Sequence, residues 1–233
     1  MPSEESKNRA ALKRNRILIV DDHPVVRQGL KVALAQDAEL VVCGEAGTYQ
    51  EAILAITSLI PDLLLLDLDL EGGSGLDLIK VVREPYPQIQ MLVLSMFDED
   101  LYAERVLKAG ASGYLMKNES PERLIEAIHS VLAGKIVVSN KIASKALAHY
   151  AGKQPGAALS PVETLTDREL EVFRLLGQGG NSRFIAKTFS LSVKTVEAHI
   201  AHIKQKFGLS SGGELQHRAI LWTERRRIGE VEN

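Results

Sequence analysis

The sequence predicts a two-domain protein in which an α/β domain with a parallel sheet precedes a smaller, all-helical domain. Its 233 residues are enough for two small domains of roughly 100–200 residues each. Short β-type runs alternate with helical patterns from Arg16 to about Ala133, and this alternation indicates βαβ units and hence a parallel sheet. Beyond Gly134 the alternation stops, and the regular patterns have helical spacing.

The composition is that of an ordinary globular protein. Hydrophobic residues make up 45% of the chain and charged residues 25%, which excludes a disordered, collagen-like or disulfide-rich chain. No apolar run approaches the ~20 residues that cross a bilayer, and Met1–Asn15 lacks the apolar core of a secretory signal. A single cysteine, Cys43, excludes an internal disulfide and argues against a cysteine-based metal cluster. We expect a cytoplasmic protein without a membrane partner.

Charge is distributed unevenly along the chain. Residues 1–133 carry a net charge of −8, whereas residues 134–165 and 166–233 carry +3 each. An acidic front and a basic back favour different partners, a cation at one end and nucleic acid at the other. Ordinary surface variation would also produce such a difference.

Five predicted strands alternate with five predicted helices in the first domain. The strands are short and apolar: Ile17–Val20, Leu40–Cys43, Leu63–Leu66, Met91–Leu94 and Gly113–Leu115. The helices are amphipathic: Pro24–Ala35, Tyr49–Leu59, Gly75–Val82, Leu101–Ala109 and Pro121–Leu132. The first and third strands have no polar interruption, which is typical of central strands that are covered on both faces.

A linker separates the two domains. One helix, Asn140–Tyr150, is followed by a stretch containing two glycines and two prolines. Helical patterns resume at Thr166, which has capping-box spacing to Glu169. We therefore predict the following boundaries: a flexible N-terminal tail at 1–15, a first domain at 16–133, a linker at 134–164, a second domain at 165–228 and a C-terminal tail at 229–233.

Acidic residues end two of the apolar strands. Asp21 and Asp22 follow the first strand, and Asp67 follows the third. Ligands of open parallel sheets bind beyond the carboxyl ends of the strands, and right-handed crossovers can place these two strands side by side. Carboxylates that crowd together repel unless a hard cation joins them, and Mg²⁺ suits one or two carboxylates plus waters and phosphate oxygens.

Two further strand ends supply a hydroxyl, Ser95, and an ammonium, Lys117. A carboxylate nucleophile, a metal, a hydroxyl donor and a fixed positive charge are what phosphoryl transfer needs. Each residue alone has an ordinary explanation as a helix cap, a turn former or a solvated charge. Together, at the ends of four strands, they favour a site.

Two other kinds of site use the same residues. The segment from Asp67 to Gly72 begins like a calcium-binding EF-hand loop, but Leu78 stands where the bidentate glutamate is required. A phosphatase of the haloacid-dehalogenase type would use Asp67, Asp69, Ser95 and Lys117. In that family the nucleophile strand comes first, and an acidic pair follows the lysine, unlike the order in this sequence.

The order Asp-Asp, Asp, Ser, Lys resembles the receiver domain of two-component response regulators over about Arg16–Leu132. The resemblance implies a flavodoxin-like (CheY-like), doubly wound five-stranded parallel sheet. It implies that Asp67 accepts a phosphoryl group from a sensor histidine kinase and that Lys117 pairs with the phosphoryl oxygens. It also implies that Mg²⁺ is bound by Asp22, Asp67 and the backbone carbonyl of Asp69, with Asp21 acting through water.

The same resemblance implies a conformational switch. Ser95 would move to donate to the phosphoryl group, and Tyr114, three residues before Lys117, would turn into the space that Ser95 leaves. One position departs from the family: Glu71 stands where proline is usual. This departure bears on the lifetime of the phosphorylated state.

Near the C-terminus, apolar residues recur every three or four residues at Val193, Val196, Ile200, Ile203 and Phe207, which indicates a helix with one apolar stripe. The other face carries small, polar and basic residues, which suits insertion into a major groove. A short helix, Ile185–Phe189, and a tight turn precede it, as in a helix-turn-helix. Periodicity alone is equally compatible with a small helical bundle.

The motifs Leu165–Val172, Ile185-Ala186 and Ser192–His199 resemble the NarL/LuxR-type DNA-binding domain over about Leu165–Arg225. By this resemblance the helix from Val193 to Phe207 reads bases, and Glu214–Trp222 is a fourth helix that often forms a dimer contact. The implied DNA-binding residues are Ser192, Lys194, Thr195, Glu197, Ala198, His199, Ala201, His202 and Lys206.

The sequence is thus identified as a response regulator of the NarL/FixJ family, a transcription regulator and not an enzyme beyond the phosphorylation chemistry of Asp67. Its expected partners are a sensor histidine kinase, double-stranded DNA and, when phosphorylated, a second copy of the chain. The alternatives are a DNA-binding regulator that does not depend on phosphorylation and, less favoured, the Mg²⁺-dependent phosphatase.

Overall fold

The computed structural model describes residues 14–151 and 160–229. Most of the predicted N-terminal tail, part of the predicted linker and most of the predicted C-terminal tail lie outside the described residues. The described chain divides into two compact units, one running to Glu99 and over Val106–Ser139, the other over Asp100–Arg105 and from Asn140 onward. No helix in the described ranges is both long and apolar enough to span a membrane.

The first unit contains strands and helices in alternation, as predicted. The strands are β1 (Asn15–Val20), β2 (Leu40–Ala46), β3 (Leu63–Leu66), β4 (Asp69–Leu70), β5 (Gly73–Ser74), β6 (Gln90–Ser95) and β7 (Gly113–Met116). The helices of this part of the chain are α1 (Pro24–Leu34), α2 (Tyr49–Leu59), α3 (Gly75–Arg83), α4 (Glu99–Ala109) and α5 (Pro121–Leu132). Residues Asp100–Arg105 of α4 are grouped with the second unit. The five longer strands form one parallel sheet in the order β2-β1-β3-β6-β7, which confirms the five-stranded, doubly wound fold.

The sheet is apolar on both faces because helices cover it on both sides. All four residues of β3 are buried, in agreement with its uninterrupted run of leucines. On one face, side chains from all five strands pack against α1 and α5; this core comprises Ile17, Ile19, Leu40, Leu63, Leu65, Leu92, Leu94, Leu115, Leu30, Leu34, Leu124, Ala127, Ile128 and Val131, among others.

The small antiparallel hairpin of β4 and β5 was not predicted. It pairs Asp69 with Ser74 and Leu70 with Gly73, directly after Asp67. Strands of two residues are too short to show an alternating pattern, so the sequence carries little signal for them. The hairpin returns the chain to Gly75, whose backbone N–H donates to the carbonyl of Leu68 at 3.0 Å.

The second unit is helical, with α6 (Asn140–Tyr150), α7 (Asp167–Gly177), α8 (Ser182–Thr188), α9 (Val193–Phe207) and α10 (Gly212–Gly229). The predicted capping box at Thr166 and Glu169 is present. The core of α7, α9 and α10 includes three aromatic side chains: Phe173 has its ring centroid 5.1 Å from that of Phe207 and 5.5 Å from that of Trp222.

The helix predicted from Glu214 in the second unit begins earlier, at Gly212. The Glu214 carboxylate accepts from the backbone N–H groups of Ser210 and Ser211, and the Ser211 hydroxyl accepts from the Glu214 N–H at 3.1 Å. This reciprocal cap satisfies the first turn and outweighs the low helix propensity of Gly212 and Gly213.

Gly75→Ala should destabilise the first unit. A Cβ at Gly75 would lie 2.4 Å from the carbonyl oxygen of Asp67 and 2.6 Å from Cα of Leu68, both backbone atoms that cannot yield cheaply. We expect the free energy of unfolding in urea to fall by about 1–3 kcal/mol, the usual cost of overpacking. Gly29→Ala, in α1 with nothing within 4 Å of the added Cβ, is the matched control and should be neutral or stabilising; equal losses in both variants would contradict the close approach.

Candidate functional sites

The sheet brings the predicted acidic and basic residues together at the carboxyl ends of β1, β3 and β7. The Lys117 ammonium lies 2.6 Å from Asp21 Oδ2 and 2.6 Å from Asp67 Oδ2. Asp21 and Asp67 are only 2% and 5% exposed. The predicted convergence of residues far apart in the sequence is therefore present in the structure.

These three side chains are positioned by backbone that extends the sheet. One residue beyond its strand, each backbone N–H still donates to the neighbouring strand: Asp21 to the carbonyl of Ala46, Asp67 to that of Val20 and Lys117 to that of Ser95. The hydrogen bonds measure 3.1, 2.8 and 3.0 Å in that order. The sheet, more than the loops, therefore determines where the functional groups lie.

Burial and charge set the protonation of the site. Burial raises the pKa of Asp67 to about 6, although the Lys117 ammonium opposes the shift. Burial works against the charged form of Lys117, but the carboxylates of Asp67 and Asp21 outweigh it and raise the pKa of the ammonium. A charged lysine thus compensates a carboxylate that ionises near neutral pH.

Asp22 is half-buried and lies beside the site formed by Asp21, Asp67 and Lys117. Burial raises its pKa, with the charges of Asp69 and Asp21 acting in the same direction and His23 opposing them. Its Oδ1 atom is buried, and no group in residues 14–151 or 160–229 satisfies it by a hydrogen bond. Ligand atoms of Asp21, Asp22, His23 and Asp67 all lie within 4.8 Å of one another.

This donor set fits a divalent cation. Buried carboxylate oxygens suit Mg²⁺, and Asp22 Oδ1, which lies 2.6 Å from His23 Nδ1, makes no well-directed hydrogen bond within the described residues. Asp69 is half-buried and close enough to Asp22 to influence its charge. His23 was not among the predicted ligands, although its position directly after the Asp21-Asp22 pair was a signal.

The predicted switch residues are buried. Ser95 is 1% exposed, and its hydroxyl accepts from the backbone N–H of Phe97 at 3.2 Å. Tyr114 is 2% exposed, and its hydroxyl donates to the carbonyl of Phe97. Both side chains therefore bond to the same residue of the segment that follows β6, while the turn of Tyr114 into the space that Ser95 would leave stays a prediction.

Helix α9 presents the predicted DNA-binding face to solvent. Val196 and Ile203 are fully buried, and the exposed predicted residues are Ser192, Lys194, Thr195, Glu197, Ala198, Ala201, His202 and Lys206. The Ser192 hydroxyl caps the helix by accepting from the Thr195 N–H at 3.0 Å. His199 is half-buried; burial, with Arg168 nearby, lowers its pKa.

Lys206 differs from the other predicted DNA-binding residues. Its ammonium lies 2.6 Å from Glu169 Oε2 and donates to the carbonyl of Thr164 at 2.9 Å. Glu169 is 4% exposed and also caps α7 through the backbone N–H of Thr166. Burial opposes its ionisation, but Lys206 and the cap lower the pKa of Glu169. Lys206 thus ties α9 to the start of α7.

Replacing Asp67 tests its unusual protonation. Burial raises the pKa of Asp67 from 3.8 to about 6, so the folded chain favours the protonated carboxyl. The contribution of this group to the free energy of unfolding is therefore fully present below pH 3.8 and is lost as the pH rises through 6. Asp67→Asn should therefore raise the free energy of unfolding at pH 7.5 by about 2 kcal/mol, with the gain disappearing towards pH 4. Urea titrations in chelator at several pH values measure it. Glu84→Gln, at an exposed carboxylate, is the control; a gain that does not change with pH would contradict the assignment.

Two family models match most of the chain. Residues 17–129 match the response regulator receiver domain, and residues 163–219 match the bacterial regulatory proteins of the luxR family. The oxygen regulatory protein NreC of Staphylococcus epidermidis (strain ATCC 35984) is 36% identical over 210 residues, which cover 88% of this chain and 96% of NreC.

Solved structures show the same similarity. RcsB from Salmonella enterica serovar Typhimurium, bound to the promoter rprA in the presence of the phosphomimetic BeF3⁻, aligns with a TM-score of 0.65 and 25% identity over 88% of this chain and 97% of RcsB. A LuxR-family two-component response regulator from Aurantimonas sp. SI85-9A1 aligns with a TM-score of 0.55 and 31% identity over 59% of this chain and 99% of that protein.

Proposed function

The chain belongs to the response regulators that join a receiver domain to a LuxR-type helix-turn-helix domain, and from this premise we propose that phosphorylation of Asp67 controls its binding to DNA. The family is one of transcription regulators and not of classical enzymes. Membership therefore favours the receiver interpretation of the strand-end residues over the phosphatase. We propose 16–133 as the receiver, 134–164 as the linker and 165–228 as the DNA-binding domain, in a protein that acts in the cytoplasm with the DNA it binds.

The observation that carries the proposal is the Lys117 ammonium held 2.6 Å from both Asp21 and Asp67. An oxygen of Asp67 attacks the phosphorus of a phosphohistidine on a sensor histidine kinase. The P–N bond breaks with its electron pair going to the imidazole, and an O–P bond to Asp67 forms. Lys117 then balances the charge of the phosphoryl oxygens instead of that of the free carboxylate.

The remaining pocket residues orient the reaction. Asp22, Asp67 and the backbone carbonyl of Asp69 would hold Mg²⁺, with Asp21 acting through water, and the ion when bound neutralises charge on the phosphoryl oxygens. The sheet keeps Asp67 and Lys117 in place through backbone bonds, so no loop has to order before the attack. Ionisation of Asp67 near neutral pH leaves its oxygen available as a nucleophile.

The switch follows from the shared bond partner of Ser95 and Tyr114. If the Ser95 hydroxyl moves to a phosphoryl oxygen, it loses the hydrogen bond that it accepts from the backbone N–H of Phe97. The carbonyl of the same residue accepts the hydrogen bond of the Tyr114 hydroxyl. Phosphorylation then changes the segment after β6 and the packing of Tyr114 together. A switch of this kind needs a free-energy difference of only a few kcal/mol between two packed arrangements.

DNA binding uses the exposed face of α9. Lys194 and the capping residues Ser192 and Thr195 lie at its N-terminal end, where they are available to phosphates, whereas Glu197 and Ala198 face outward one turn later. His199 has a lowered pKa and would contact DNA as a neutral hydrogen-bonding group. RcsB, a structural neighbour, was solved on promoter DNA with a phosphomimetic, which supports the same coupling here.

Phosphorylation also offers a reason for the uneven charge. Residues 1–133, with a net charge of −8, would compete with DNA phosphates for the basic second domain, and release of that domain would let two copies bind paired half-sites as a dimer. Asp67 controls the release in this scheme.

The proposal is tested by phosphorylating the chain with acetyl phosphate and Mg²⁺. The intact mass should increase by one phosphoryl group in wild type and in Asp77→Asn, a matched control in the first turn of α3, but not in Asp67→Asn. DNA affinity should rise about 5- to 150-fold on phosphorylation, the usual range of an allosteric coupling. An unchanged affinity with full phosphorylation would favour the alternative, a regulator that does not depend on phosphorylation.

Salt dependence tests the DNA interface separately. Each phosphate contact adds about one unit to the slope of log affinity against log salt. Lys194→Ala should therefore flatten the slope by about one unit, whereas Lys80→Ala, at an exposed lysine of α3, should leave it unchanged. Titration of a labelled operator at several salt concentrations measures both slopes. Equal slopes for wild type and Lys194→Ala would remove Lys194 from the interface.

A further inference from the structure

We propose that Glu197 determines part of the DNA sequence that this chain recognises, because its carboxylate accepts a hydrogen bond from the N4 amino group of a cytosine in the major groove. The inference rests on the proposed function, since it concerns the face of α9 that binds DNA. It goes beyond that function by assigning a cytosine–guanine base pair of the half-site to a single residue.

Glu197 lies in the half of α9 that enters the groove in helix-turn-helix proteins. The recognition helix of that motif contacts base edges with its N-terminal residues. Ser192 is the N-cap residue of α9, so Glu197 begins the second turn of the helix. Glu197 is exposed, whereas its neighbour Val196 is fully buried. The carboxylate is therefore directed away from the core of the unit.

The residues around Glu197 on the helix surface leave space for a base. Residues three and four positions apart are neighbours on a helix. Ala201 follows Glu197 by four positions, and Ala198 comes directly after it; both are exposed. Because their side chains end at Cβ, neither alanine keeps the backbone of α9 away from the groove floor, and the longer glutamate side chain extends beyond them. Contact with a base edge needs such a close approach.

The Glu197 carboxylate has no structural task in the part of the chain that the structure describes. No hydrogen bond or ion pair engages it there, although Lys194 precedes it by three positions, a spacing at which oppositely charged side chains can pair. By contrast, the carboxylate of Glu169 binds the ammonium of Lys206, on α9, at 2.6 Å. Glu197 thus stays available to a hydrogen-bond donor on DNA.

An ionised carboxylate only accepts hydrogen bonds, and this restricts what it can bind on DNA. Phosphates repel it, and the major-groove edges of guanine and thymine present acceptors and a methyl group. The amino donors are N6 of adenine and N4 of cytosine, but adenine also presents the acceptor N7 beside its amino group. Cytosine is therefore the base that a carboxylate suits. Glu197 is the only acidic residue of α9, so the assignment concerns one position of the half-site.

The test determines the preferred DNA sequence of the full chain, phosphorylated with acetyl phosphate and Mg²⁺, for wild type, Glu197→Gln, Glu197→Ala and Glu224→Gln. Double-stranded oligonucleotides with a randomised central segment are selected on each protein and sequenced, and affinities are then measured for the selected sequences. Glu224 is an exposed glutamate of α10. Its substitution is the matched control, because it makes the same change in net charge outside the proposed contact.

The variants should differ at a single position of the half-site. Wild type and Glu224→Gln should select cytosine there, with an affinity about 5- to 100-fold higher than for the other bases. Glu197→Gln should select adenine, because an amide both accepts from N6 and donates to N7. Glu197→Ala should select no base at that position and the same bases as wild type elsewhere.

Identical selected sequences for wild type and Glu197→Ala would overturn the inference, because Glu197 would then face solvent on the DNA. A wild-type preference for another base at the position that depends on residue 197 would overturn it as well. So would an equal gain in affinity of Glu197→Ala for every sequence, the result expected if the carboxylate only repels phosphates. The proposed function survives these outcomes, because the chain still selects a DNA sequence. If phosphorylated wild type selects none, the proposed function and the inference both fail.

Discussion

Two buried carboxylates that share one ammonium are the constraint on which the rest of the receiver depends. Asp21 and Asp67 are almost inaccessible to solvent, and each lies 2.6 Å from Lys117 Nζ. Buried charges are costly unless they are paired. Anything that adds negative charge to Asp67, or positive charge beside it, must therefore redistribute this triad. In the proposed function, phosphorylation and metal binding would be coupled for this electrostatic reason, before any conformational change.

The parallel sheet converts that electrostatic centre into a fixed site. Three of its strands end at the same edge, and the residue after each remains bonded to the neighbouring strand. The helices that cover both faces exclude water from the strands, so the site lies at a boundary between apolar core and solvent. This position explains why burial raises the pKa of Asp67 to about 6, whereas Asp22, at the rim of the same site, is only half-buried.

The sequence was sufficient for the fold and for the grouping of site residues, because both follow from patterns that repeat along the chain. Helices Tyr49–Leu59, Pro121–Leu132 and Val193–Phe207 are confirmed to the residue, since each combines a polar cap with an apolar stripe. What escaped prediction depends on contacts between distant residues. The β4–β5 hairpin is too short to show a period, and the orientation of His23 towards the carboxylates is a matter of three-dimensional placement.

Lys206 shows most clearly where sequence reasoning stops. A basic residue on the recognition helix is a natural phosphate ligand, yet Glu169 and the carbonyl of Thr164 bind its ammonium. While that pair persists, phosphate contacts have to come from other cations of the same unit. Arg183 and Lys187 are exposed on α8, the helix that precedes α9 in the helix-turn-helix. Together with Lys194 at the start of α9, cations on α8 would then position the domain on the DNA backbone, and the small, neutral and acidic side chains of α9 would be left to distinguish bases, the usual division between affinity and specificity.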